Sequence, residues 1–190
     1  MVKFLRHRCN SLEDLREWLP LYDGVECDVR LNDSSKATVE HHPGEHLYPF
    51  DLADWLALAD QIAVGRDVTY AINIKSNGLV PELRVALLDC DNYFLFDVPG
   101  EEIEEYRAAG LRVFARWSEY DYQQDFLGDL NGGVIDCFKG DYSMFPELLD
   151  DLKFGTEIAA IGEDLRGRPP LSIKQLELLG VQYLITKSRL

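Results

Sequence analysis

Strand-like and helix-like segments alternate along the whole of this chain, and that rhythm constrains the fold more than any other feature. Runs rich in β-branched and aromatic residues at 3–8, 24–31, 68–75, 93–97, 112–117, 133–138, 157–161 and 182–186 read as strands. Ser11, with Asp14 three residues on, opens a helix that carries Leu12, Leu15, Trp18 and Leu19 on one side and stops at Pro20. Further helical patterns lie at 51–62, 101–109, 123–130, 146–152 and 173–179, and another follows Pro81, a residue favoured in a first helical turn. Strands joined by crossover helices pair in parallel, and eight such units close into an α/β (β/α)8 barrel with its helices outside. One interruption is expected. Asn32-Asp33-Ser34-Ser35 is turn chemistry, so residues 37–42 fold back as a short extra strand beside the second one.

At 190 residues the chain falls below the ~250 typical of such barrels. Connections must be short, and the expectation is one domain over residues 1–190. The structural alternative is an open doubly wound sheet. It lacks the glycine-rich first turn, because Cys9-Asn10-Ser11 follows the opening strand.

Chemistry-bearing residues gather where strands end. His7-Arg8 closes the first, Glu26-Cys27-Asp28 lies in the second, and His41-His42-Pro43 closes the returning strand. Glu26 and Asp28 sit two residues apart, so extended backbone projects both inward and turns Cys27 outward. The active site of such a barrel occupies the C-terminal rim of its strands. Candidates there are His7, Arg8, Glu26, Asp28, Asn73, Lys75, Asp97, Arg116, Glu119, Asp136, Lys139, Glu163 and Lys187. Hard oxygen ligands beside imidazoles suit a divalent cation next to an acid/base pair, which is the equipment for cleaving a phosphate ester.

Charge narrows the partners. With 19 Lys and Arg against 34 Asp and Glu, the net charge of −15 argues against a broad basic face for nucleic acid or membrane. Arg8, Lys75, Arg116, Lys139 and Lys187 nevertheless collect at one mouth, where positive potential would draw in a small anionic substrate. No apolar run approaches the ~20 residues of a membrane span, and no secretory signal opens the chain, so a cytoplasmic location is expected. Cys9, Cys27, Cys90 and Cys137 show neither metal-finger spacing nor a disulfide framework, which points to reduced thiols. No feature sets an oligomeric state.

These motifs resemble the glycerophosphodiester phosphodiesterase family of the PLC-like phosphodiesterase superfamily. There a His-Arg pair ends the first strand, a Glu-x-Asp the second, a His-Asp follows, and a Glu-x-Lys ends the next strand. Here His42 replaces that aspartate and Asn73-Ile74-Lys75 replaces Glu-x-Lys. The strings Ala115-Arg116-Trp117-Ser118-Glu119-Tyr120, Ile135-Asp136-Cys137-Phe138 and Gly162-Glu163-Asp164-Leu165-Arg166-Gly167-Arg168 look like a small bacterial branch of the superfamily.

The resemblance implies a compact barrel of that type without the inserted lobe found in many members. It implies metal-assisted hydrolysis of a small phosphodiester, with attack by water or a neighbouring substrate hydroxyl. Glu26, Asp28 and Asn73 would hold Mg2+ or Ca2+, with three outcomes open at the amide: water completes the shell, Glu119 or Asp97 reaches across to replace the missing glutamate, or metal and turnover have been given up. Arg8, Lys75 and Arg116 would grip phosphate, and His7 and His41 would act as base and acid. Asp97, Asp136, Lys139, Glu163 and Lys187 would form an outer rim. Two other classes stay open: a noncatalytic barrel that binds a phosphorylated sugar or nucleotide-linked precursor, and a lyase using Lys75 or Lys187 as a Schiff-base amine.

Overall fold

The computed structural model describes residues 1–45, 50–120, 130–140 and 156–188. Its strands are β1 (Lys3–Arg6), β2 (Gly24–Leu31), β3 (Ala37–Val39), β4 (Phe50–Asp51), β5 (Thr69–Ile74), β6 (Tyr93–Phe96), β7 (Phe114–Ser118), β8 (Gly132–Asp136), β9 (Glu157–Ile161) and β10 (Tyr183–Thr186). Described helices are α1 (Leu12–Trp18), α2 (Leu52–Ile62), α3 (Val80–Ala86), α4 (Ile103–Ala108) and α5 (Ile173–Leu178). Helices expected at 123–130 and 146–152 lie outside the described residues, Leu130 excepted.

Eight of the strands form a closed parallel ring. β1 pairs with β2 and β10, β2 with β5, and β5 with β6. From β7 the ladder runs through β8 and β9 to β10. A parallel bridge between Leu95 and Val113 joins β6 to the β7 segment and completes the barrel. β3 and β4 are antiparallel additions outside the ring. β2 makes this arrangement feasible by its length: Gly24 and Val25 pair with β1, whereas Val29, Arg30 and Leu31 pair with β3.

Alternation sorts side chains into two cores. Leu5, Ala71, Phe94, Phe114, Val134, Ala159 and Ile185 fill the barrel, and the Phe94 and Phe114 rings stack with centroids 4.3 Å apart. Val25, Cys27, Val29, Tyr70, Ile72 and Trp117 face the helix layer, where Trp55 is also fully buried. Each large apolar side chain so buried contributes ~1.5–3 kcal/mol. Within the barrel β2 supplies no apolar plug, since its inward positions are Gly24, Glu26 and Asp28. That leaves one wall polar.

Gly24 is required by close approach: a β-carbon there would press on the Thr69 carbonyl and the Leu5 side chain. Gly24→Ala is expected to lower stability by ~1–3 kcal/mol, the usual cost of overpacking. Urea denaturation of the variant reads it, and an unchanged midpoint would contradict the packing described.

The Ser11/Asp14 capping box of α1 forms in full, and an equivalent Ser172/Gln175 box opens α5. Among the described residues no helix is long and apolar enough to cross a membrane.

Candidate active site

The polar wall of β2 defines the site. Glu26 and Asp28 are each 1% exposed, and parallel register sets Asp28 beside Asn73 of β5. Asn10, just past β1, locks Asp28 twice. Its amide donates to Asp28 Oδ2 at 2.8 Å, while its Oδ1 accepts the Asp28 main-chain N–H at 2.9 Å. The sequence reading missed Asn10; its signal was a lone amide between a strand end and a helix cap. Asn10→Ala is expected to cost ~1–3 kcal/mol by leaving buried groups of Asp28 unsatisfied. Thermal unfolding of the variant measures this, and a midpoint within error of the parent would sink it.

Arg8 joins three elements. Its backbone adopts a left-handed φ of 57°, a conformation non-glycine residues hold at a cost of ~1–3 kcal/mol when surroundings enforce it. That bend aims its N–H at Glu26 Oε2, 2.7 Å away, and brings its guanidinium to His41 Nε2 at 2.8 Å. Its Nε lies 3.8 Å from Asp28. His7, adjacent in the same turn, sets Nε2 3.9 Å from Glu26 Oε2. Lys75 spans from Asp28 (3.4 Å) to Asp97 (3.6 Å), and Asp97 itself has a left-handed φ of 57°.

The β2–β3 hairpin delivers His41. The Glu40 N–H bonds the Asp28 carbonyl at 3.0 Å, and Arg30 donates to the His41 carbonyl at 3.0 Å. Strand pairing ends at Val39, so alternation no longer governs His42. Its ring packs perpendicular to that of His41 with centroids 4.1 Å apart.

Electrostatics divide these groups. Burial, reinforced by Asp28, pushes the Glu26 carboxyl up to about 8. Burial and the charge of Arg8 pull His7 down to about 4. His41 is lowered first by burial, with Arg8 and Lys75 adding to this and Asp28 opposing. Both imidazoles are therefore neutral and able to accept a proton near pH 7.

Linkage fixes the signs for stability. Between its reference value of 4.5 and about 8, Glu26 binds more proton in the folded chain, so its contribution is lost as pH rises through that window. His7 acts oppositely, and its contribution is complete above its reference value of 6.5. From pH 6.5 to 8, among the described groups, the Glu26 decline is not opposed by His7 or by His41, whose lowered values leave their contributions complete above 6.5. Glu26→Gln is expected to flatten it in metal-free denaturation curves, and equal slopes for both proteins would refute this.

Opposite the acids, the rim belongs to β7, β8 and the turn after β9. Arg116 reaches Asp97 at 2.9 Å and Asp136 at 3.1 Å, while Arg166 donates to Asp136 Oδ1 at 2.7 Å. Together His7, Arg8, Asn73, Lys75, Asp97, Arg116, Asp136, Arg166 and Lys187 line an open cavity of about 380 Å³, floored by Phe96, Val134, Ile161 and Leu165. The rim loop 163–168 thus divides its two arginines: Arg166 faces the cavity, and Arg168 does not.

Three candidates sit elsewhere. Glu119 accepts the N–H groups of Phe138 (2.8 Å) and Lys139 (2.9 Å), which ties the β7 and β8 loops together instead of carrying the carboxylate over the acids. The Lys139 ammonium lies 5.2 Å over the Tyr120 ring, outside the cavity lining. Glu163 is buried and paired with Arg168, whose Nη1 also donates to the Phe138 carbonyl at 2.7 Å; the pair braces the β8 loop. Trp117 packs outward and does not wall the pocket.

No family model matches the sequence and no curated protein does. Solved structures do match. A glycerophosphodiester phosphodiesterase from Thermotoga maritima superposes with a TM-score of 0.69 at 16% identity, covering 98% of this chain and 95% of that one. One from Agrobacterium tumefaciens gives 0.65 at 13% identity, over 98% and 96%. A calcium-dependent phosphoinositol-specific phospholipase C from Pseudomonas sp. gives 0.61 at 12% identity, over 98% and 88%. The chain shares the barrel fold of these enzymes. Between the His41–His42 corner and β5 of this barrel, the described residues form only β4 and α2.

The residues present fit a hard divalent cation. Glu26 Oε1 and Asn73 Oδ1 are both buried without a hydrogen-bond partner, an arrangement that disfavours folding unless something satisfies them. Among the described residues no cluster of three or more His, Cys, Asp or Glu converges on a point; strand register places the amide of Asn73 beside Asp28 as a third oxygen.

Proposed function

We propose that this chain is a metal-assisted phosphodiester hydrolase acting on a small anionic substrate from the rim of its barrel. One observation carries the reading: Arg8 contacts Glu26 through its N–H and His41 through its guanidinium. Two imidazoles and an acid pair therefore share one corner.

Glu26, Asp28 and Asn73 would hold Mg2+ or Ca2+, which supplies charge to neutralise a nonbridging phosphate oxygen. Arg8, freed from His41 by the incoming phosphate, grips a second oxygen with its planar fork. Lys75 adds positive charge along the wall, and Arg116 adds it from across the mouth. His7, neutral and beside Glu26, takes the proton of the attacking water or substrate hydroxyl as the new P–O bond forms. His41, now next to an anion in place of a guanidinium, becomes imidazolium and gives its proton to the leaving oxygen as the old P–O bond breaks. With water as nucleophile the products are a phosphomonoester and an alcohol.

The test is a panel of phosphodiesters incubated with Mg2+, with Ca2+ and with a chelator. Cation-dependent release of alcohol supports the reading; no hydrolysis of any member under any condition overturns it.

The noncatalytic alternative draws on the cations already crowding Asp28. Tight binding of phosphorylated sugars with no turnover would favour it. The Schiff-base alternative is poorly served, because Lys75 stands between two carboxylates and not in the desolvated pocket such an amine needs.

A further inference from the structure

The far side of the mouth is more cationic than one phosphodiester needs. Among the described residues, Arg8, Lys75, Arg116, Arg166 and Lys187 face the cavity against Asp97 and Asp136. Arg8 and Lys75 belong to the acid wall; Arg116 on β7 and Arg166 after β9 stand away from it, and Lys187, just after β10, closes the ring between Arg166 and β1. In the ring order, β7 and β8 stand across from β1 and β2.

Those cations are held in place. Asp136, 5% exposed, bonds both Arg116 and Arg166, and the Arg166 guanidinium carbon lies 4.0 Å from the Phe138 ring centroid. Phe138 is in turn braced by Arg168 and Glu119 through its backbone. Arg166 spends Nε and Nη2 on Asp136, so among the described residues its Nη1 has no partner. Nor does any described carboxylate pair with the exposed Lys187 ammonium. Guanidinium groups fixed by a buried carboxylate and an aromatic face are preorganised to receive an oxyanion. Between the two charged arcs lie Phe96, Val134, Ile161 and Leu165, an apolar floor suited to a short carbon skeleton.

We propose that Arg166 and Lys187, with Arg116, bind a second anionic group, so that the substrate is a phosphodiester whose alcohol carries a further phosphate or carboxylate. This rests on the phosphodiesterase reading for its turnover, though not for its binding.

Two diesters test it: glycerophosphoglycerol, and the same molecule bearing a terminal phosphomonoester. The parent protein is expected to favour the phosphorylated diester at least tenfold in kcat/KM. That ratio should fall about tenfold in Arg166→Gln and severalfold in Lys187→Gln, whose exposed position keeps the test usable if the first variant misfolds. A ratio near one in the parent, or an unchanged ratio in both variants, overturns the proposal.

Calorimetric titration with propanediol bisphosphate, which contains no diester, separates the two failures. If neither diester is cleaved, the hydrolase reading falls. An affinity for the bisphosphate that exceeds that for glycerophosphate, and drops about tenfold in Arg166→Gln, would still support the second site. Equal affinities in parent and variant would remove it.

Discussion

Alanine in place of His7 or of His41 is expected to lower phosphodiester turnover by ~10²–10⁴-fold, the range for loss of a positioned general acid or base. The loss should fall on kcat, because neither imidazole is the main source of charge for holding phosphate. Burial and Arg8 keep His7 deprotonated down to about pH 4, so the base limb of the parent profile lies well below neutrality. His41 carries the opposite requirement. Its Nε2 is occupied by Arg8 at 2.8 Å before substrate arrives, and only a phosphate that draws Arg8 away makes it an acid. Removing both histidines should cost little more than removing one, since groups acting in a single proton relay are not additive. Steady-state kinetics on purified variants, with circular dichroism to verify folding, decide the matter. Activity within threefold of the parent in both single variants would exclude the acid/base assignment.

Asn73→Glu is expected to tighten divalent-cation binding by at least about tenfold, since a full carboxylate charge replaces an amide dipole among hard oxygen ligands. The position favours this outcome: Asn73 pairs in register with Asp28, is 8% exposed, and has an unsatisfied Oδ1. A third acid would also raise Glu26 further in the metal-free protein. The variant should therefore be less stable without cation and gain more in melting temperature when it is added. Below about pH 8 binding must displace the Glu26 proton, so affinity in the parent rises with pH up to that value and then levels. Titration calorimetry with Mg2+ and Ca2+ at several pH values measures each effect. No binding by either protein would dispose of every metal-assisted mechanism proposed here.

The fold was legible because its signals are periodic. Period-two runs gave β2 at its observed bounds Gly24–Leu31 and β9 at Glu157–Ile161. Ser11, Pro20 and Pro81 marked helix ends by backbone chemistry that needs no tertiary context. β4 was not legible, because two residues carry no period and Phe50–Asp51 pairs only where β3 happens to present an edge.

Site residues on ring strands were readable by the same alternation. Those on turns could be named but not aimed: Arg8 and Asp97 stand among the rim candidates, yet their directions come from left-handed backbone, and His42 lies beyond the last paired residue. Arg166 lies in the charged 162–168 string, and nothing in the order of residues shows that Asp136, thirty positions away, turns it inward. Glu119 pointed the other way for a similar reason, since loop N–H groups compete for its oxygens and sequence spacing does not reveal them.

The double pairing along one edge of β2 makes the hairpin an adjustable arm. Glu26 and Asp28 are anchored by the ring, whereas the second imidazole hangs from a ladder of only three residue pairs. Lengthening or shortening β3 by two residues, which keeps the same face toward the barrel, would carry that imidazole ~6.6 Å along the strand axis while the acids stay put. The distance between proton donor and metal ligands is thus tunable by small insertions in a peripheral turn, a degree of freedom through which one barrel can be refitted to bulkier or slimmer leaving groups.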